Sequence, residues 1–82
     1  MMLSVTFHFH ISREDCIIPN VARCNGILTD EGISNSNKSS FKKATALFDC
    51  IEDANHFIYL SYHDAGMYFF ITEMTESNVP KS

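Results

Sequence analysis

The sequence is poor in the features that mark most small functional modules. Its three glycines, Gly26, Gly32 and Gly66, stand far apart, so no Gly-rich loop can wrap a phosphate, and no Gly-x-Ser-x-Gly nucleophile turn occurs. Its three cysteines, Cys16, Cys24 and Cys50, are odd in number and lack Cys-x-x-Cys spacing. That excludes a disulfide framework or a zinc-finger set and reads as reduced thiols of a cytoplasmic protein. No run of five like charges is present, which excludes a basic or acidic tail. No apolar stretch approaches the ~20 residues of a membrane helix. The opening "MMLSVTFHFH" has no basic n-region and breaks its apolar run with histidine, so no signal peptide is expected.

What is present is enough for a core. Of 82 residues, 45% are hydrophobic and 12% aromatic, with seven Phe and three Tyr, and the net charge is −4. A chain of this size buries only about 60% of its unfolded surface, and the apolar content exceeds what one core needs. The chain is read as a single domain over residues 1–82. The pI near 5.4 argues against a general nucleic-acid binder, which carries a basic face.

The clearest local signal is "LSVTFHFHI", residues 3 to 11. Leu3, Val5, Phe7, Phe9 and Ile11 alternate with Ser4, Thr6, His8 and His10, the period-two pattern of a half-buried strand. Pro19 forbids a central strand at its own position. Asn25-Gly26 then predicts either a short hairpin of "VARC" and "ILTD" or one strand near residues 26 to 30. Residues 34–40, "SNSNKSS", read as a mobile connector. Phe41, Ala44, Phe48 and Ile51 recur at spacings of three, four and three, which predicts an amphipathic helix of about four turns, capped by Ser39 or Ser40. "FIYLSYH" and "MYFFITEM" around "DAG" predict a closing hairpin, with residues 76–82 as a frayed tail.

These elements assemble into an α+β, two-layer sandwich. A small antiparallel sheet of about three or four strands, in the chain order β-(β)-α-β-β, carries one amphipathic helix on one face. The helix covers Leu3, Val5, Phe7, Phe9, Ile58, Leu60, Phe69 and Ile71. The opposite face then displays His8, His10, Phe57, Tyr59, Tyr68 and Phe70. A solvated sheet face ordinarily carries Thr, Lys, Glu and Arg. One rich in rings either marks a contact surface, because exposed contiguous apolar area is rare on monomers, or is covered by residues 12 to 36 folding back into a three-layer core.

Other chemistries have thinner support. His8 and His10 share a strand face, and His63 is a further candidate ligand, with Cys24 or Glu73 completing a set. A catalytic zinc needs three protein ligands and a structural one four, and no His-x₃-His spacing accompanies the pair. Cys50 lies beside Asp49, Glu52 and Asp53, which suppress a thiolate. Cys16 follows Glu14 and Asp15, and Cys24 has only Arg23 beside it. Lys38, Lys42 and Lys43 gather at the start of the predicted helix, where the dipole disfavours cations. They form a secondary anion or partner contact, or else tolerated surface charges.

The expected function is therefore non-catalytic, without cofactor. The chain is expected to be an inhibitor or adaptor that occludes the surface of a larger protein, in the cytoplasm and away from membranes. In architecture alone it resembles phage-encoded inhibitors of host defence such as anti-CRISPR proteins, which implies a larger host protein as partner. A homodimer through the same face is compatible with this reading. The alternatives are nucleic-acid binding through the ring-bearing face, disfavoured by the charge, and a His-ligated metal protein.

Overall fold

The computed structural model describes residues 2–77. The elements run β1 (Met2–His10), α1 (Glu14–Arg23), β2 (Ile27–Leu28), β3 (Ser34–Asn35), β4 (Phe41–Phe48), α2 (Ile51–Ala65) and β5 (Phe69–Ser77), with single 3-10 turns at Ile11–Arg13 and Gly66–Tyr68. The α+β class expected from the sequence is present, but five strands pack against two helices. The strand order is β2-β4-β1-β5, β3 also pairs with β4, and every pairing is antiparallel. With β2 and β3 sharing one edge of β4, the connectivity is that of the split β-α-β, ferredoxin-like arrangement. No helix among the described residues is long and apolar enough to cross a membrane.

β1 follows its alternation. Leu3, Val5, Phe7 and Phe9 are buried beneath the helices, while the strand stops at His10 and leaves Ile11 exposed. The next segment is a helix rather than a hairpin. Pro19 sits inside α1 with its ring exposed, where it removes one backbone donor at a cost of about 3 kcal/mol. Burial of Ile17, Asn20, Val21 and Cys24 offsets that cost. Asn25-Gly26 ends the helix: Asn25 adopts a φ of 61°. The Gly26 amide donates to the Val21 carbonyl (2.8 Å) and the Asn25 amide to that of Ala22 (3.1 Å), a Schellman motif. Gly26 is also sterically required, because a Cβ there would lie 2.5 Å from the Phe48 ring.

Residues 41 to 54 are not one helix. Phe41–Phe48 pairs along its length with β1, Leu3 opposite Phe48 and His10 opposite Phe41. Ala44, Ala46 and Phe48 point inward, so period two prevails over the coarser three-four spacing. Ser40, at φ 67°, turns the chain from β3 into β4. The stretch read as a connector holds β3, where Ser34 and Asn35 pair with Lys43 and Lys42.

The predicted strand "FIYLSYH" lies inside α2. Ala54, Phe57, Ser61 and Ala65 are its buried positions, at helical spacing. Glu52 and Asp53 occupy its first turn, so these acids favour the dipole rather than oppose it. β5 pairs with β1 out to Glu76 and Ser77, and a bulge falls between Thr6 and Phe7 in the register. Residues 78–82 of the expected tail lie outside the described residues.

The core joins both layers. The Phe57 ring of α2 lies 5.0 Å from Phe7, 5.3 Å from Phe48 and 5.7 Å from Phe69. The helices are tied by Asn20, fully buried, whose amide donates to the Asp64 carboxylate (3.1 Å) and the Ser61 hydroxyl (3.4 Å). That bond, with His63 and Arg23 nearby, holds the Asp64 carboxyl below its ordinary range against the opposing pull of burial.

Candidate functional site

Both helices cover the face of Val5 and Phe7, so the opposite face is set by parity. It carries Ser4, Thr6, His8 and His10 of β1, with Phe41, Lys43, Thr45 and Leu47 of β4 and Phe70 and Glu73 of β5 as register partners. Thr6 and Thr45 share a hydroxyl hydrogen bond across this face (2.9 Å).

Toward the end where β1 stops and β4 and β5 start, the side chains form a continuous ring cluster. His8 stacks on Phe70 with centroids 4.7 Å apart and planes 9° from parallel. Phe41 lies 5.7 Å from Phe70 and 5.3 Å from His10, and His10 lies 5.0 Å from Tyr68. Two cations cap the rings. Lys38 Nζ sits 4.8 Å above Phe41 and 5.6 Å from Phe70, and the Arg13 guanidinium lies 5.3 Å from Tyr68. Such contacts contribute about 0.5–1 kcal/mol each at exposed sites.

The histidines differ in role. His8 is only 8% exposed and its Nδ1 lies 2.7 Å from the Ser36 hydroxyl. Burial, reinforced by the neighbouring Lys43 ammonium, pushes its pKa below the ordinary imidazole value. His10 Nδ1 accepts the Ser12 backbone amide (3.1 Å) and contacts its hydroxyl (2.7 Å). It thereby fixes the turn that carries Arg13 toward Tyr68.

Of the ring face expected from the sequence, His8, His10, Tyr68 and Phe70 come together. Phe57 and Tyr59 do not. Both belong to α2, where two residues differ by about 200° of helix rotation; Phe57 is fully buried in the core and Tyr59 is 74% exposed on the helix surface. Lys38, Lys42 and Lys43 lie on the β3–β4 hairpin rather than at a helix start. Lys43 shares the outer face with His8, whereas Lys42 has the opposite parity, and its Nζ donates to the Asn35 side-chain carbonyl (3.0 Å). Phe41, Ser36 and Arg13 were not foreseen as members of this site. Phe41 carries no local signal for it, since its assignment depends on the pairing of β4.

His63 lies on α2 beside Asp64 (3.6 Å), separated by the sheet from His8 and His10. Among the described residues no three His, Cys, Asp or Glu side chains converge as metal ligands would. The cysteines are all free thiols. Burial and Asp53 raise the Cys24 thiol. At Cys50 the Asp53 backbone amide favours the thiolate, but burial and the Asp53 and Glu52 carboxylates outweigh it and the thiol also ends raised. Comparison with family models, curated proteins and solved structures gives no match to this chain. The topology alone carries no function, since the same arrangement hosts many.

Proposed function

We propose that this protein is a non-catalytic interaction module, an inhibitor or adaptor that occludes the surface of a larger protein through the outer face of its sheet. The observation that supports the reading is the ring cluster of His8, His10, Phe41, Tyr68 and Phe70 on the face away from both helices. Within it Tyr68 is 38% exposed, and Met67 and Ile11, the sequence neighbours of Tyr68 and His10, are exposed as well, Met67 at 83%. Aromatics, Met and Arg are the residue types enriched in interface cores. The reading places the protein in the cytoplasm, with its thiols reduced, and the phage-type inhibitor of a host defence system remains its favoured example. A second copy of the chain is a compatible partner.

The test is paired capture from native extract with mass measurement of the intact complex. The Tyr68→Lys, Met67→Lys double variant is expected to lose the partner. Tyr59→Lys, on the far side of the molecule, is expected to keep it. Retention by the double variant, or loss by Tyr59→Lys alone, overturns the assignment of this face. A nucleic-acid ligand is the second reading, favoured by the cations over rings; it requires retention on single-stranded RNA or DNA with a steep salt dependence.

A further inference from the structure

We propose that the corner of the outer face formed by Arg13, Lys38, His10, Tyr68 and Phe70 is an anchor for an acidic, Asp- or Glu-bearing segment of a partner protein. The inference rests on the outer face being a protein-docking surface and specifies the chemistry that the partner must bring.

The first support is segregation of charge. Of the five Lys and Arg among the described residues, Arg13, Lys38, Lys42 and Lys43 lie on the 3-10 turn after β1 or on the β3–β4 hairpin, and only Arg23 lies elsewhere. Neither Arg13 nor Lys38 forms an ion pair with a carboxylate among the described residues. Both cations are instead held over ring faces. Of the two acids in the strands, Glu76 has inner parity, and Glu73 lies farther down the sheet, opposite Thr6. Glu14 and Asp15 follow Arg13 in the first turn of α1 and neither forms an ion pair with it; the remainder of the net charge of −4 is screened over about 8 Å.

The second support separates a protein ligand from a nucleic acid. Single-stranded nucleic acids bind by laying bases on free aromatic faces. Here one face of each ring is already taken. His8 and Phe70 stack on each other, Phe41 is 7% exposed under Lys38, and Tyr68 holds Arg13. What the corner still offers is two unpaired cations next to the exposed side chains of Ile11, Met67 and Tyr68. That fits carboxylates interspersed with apolar side chains.

The experiment is selection of a random displayed peptide library on the intact protein, followed by titration of the recovered peptides monitored by amide chemical shifts. The expected result is enrichment of Asp or Glu beside aliphatic or aromatic residues. Shifts should concentrate at residues 10–13, 36–41 and 67–70. Lys38→Glu and Arg13→Glu should each weaken binding about tenfold or more, Lys38→Gln less, and Tyr59→Lys not at all, with far-UV dichroism unchanged in every variant. Peptides without acidic residues, or shifts centred elsewhere, overturn the anchor while leaving a protein-binding module in place. Recovery of no peptide overturns the anchor. If thymidine or uridine homopolymers then shift the same amides, the protein-interaction reading falls with it.

Discussion

Phe57 and Tyr59 provide the sharpest test of the architecture. On a strand, two residues apart, their side chains share one face and their truncation should have comparable consequences. On α2 they lie on opposite sides. Phe57 is fully buried, with its ring against Phe7, Phe48 and Phe69, whereas Tyr59 is largely exposed. Truncating a buried Phe removes its transfer free energy and leaves a cavity, about 3–5 kcal/mol together. The site can collapse little here, because the neighbouring rings come from three different strands. Tyr59→Ala lies on a solvated helix face and should stay within about 0.5 kcal/mol of the parent. Against a total stability of about 5–15 kcal/mol, Phe57→Ala should be near the limit of folding. Urea unfolding followed by far-UV dichroism measures both. With an m-value of about 1 kcal/mol per M, the Phe57→Ala midpoint should fall by several molar or the transition disappear. Equal, small changes in the two variants would refute the helical placement and the core built on it.

Three further outcomes are expected. Gly26→Ala places a Cβ against the buried Phe48 ring and should cost about 1–3 kcal/mol in urea unfolding; a neutral result contradicts the close approach of the α1 terminus to β4. His8 has a lowered folded pKa, so the unfolded chain binds its proton more readily, and the stability it contributes above the ordinary imidazole value is lost as pH falls through the folded pKa. The parent should therefore lose more stability than His8→Gln between neutral and mildly acidic pH, and parallel pH profiles would count against a buried His8. Asn20→Asp sets a second carboxylate beside Asp64 in a fully buried position and should cost about 3 kcal/mol at neutral pH. Because that new carboxyl has a raised pKa, the deficit should shrink on acidification, which thermal melts at two pH values will report.

How much of the candidate site was legible follows from how local its signals are. His8 and His10 were placed correctly because β1 alternates over its whole length and needs no partner to set its faces. Phe70 reached the right face from a hairpin that does not exist, since β5 carries that parity with β1 as its neighbour instead, and Tyr68, in the 3-10 turn just before β5, meets the His10 ring on the same side. Phe41 was missed for the reverse reason. Its spacing to Ala44, Phe48 and Ile51 fits a helix, while Ala44, Ala46 and Phe48 fit a strand, and only the register with β1 separates the two. For α2 usable signals were present: Glu52 and Asp53 at its start, Ala54, Phe57, Ser61 and Ala65 at helical spacing, and Gly66 at its end. They were outweighed by a run of aromatic and branched residues with strand preference.

By itself, the amino-acid sequence determined the α+β class, the first strand with its two faces, and the presence of two histidines on the side away from the core. These follow from side-chain period and composition, which act within one segment. The tertiary structure alone decided that residues 41 to 48 extend along β1, that residues 51 to 65 coil over the sheet, and that Arg13 and Lys38 meet the rings of Tyr68, Phe41 and Phe70. Those outcomes depend on backbone hydrogen bonds and ring contacts between residues distant in the chain, whose energies no local pattern contains.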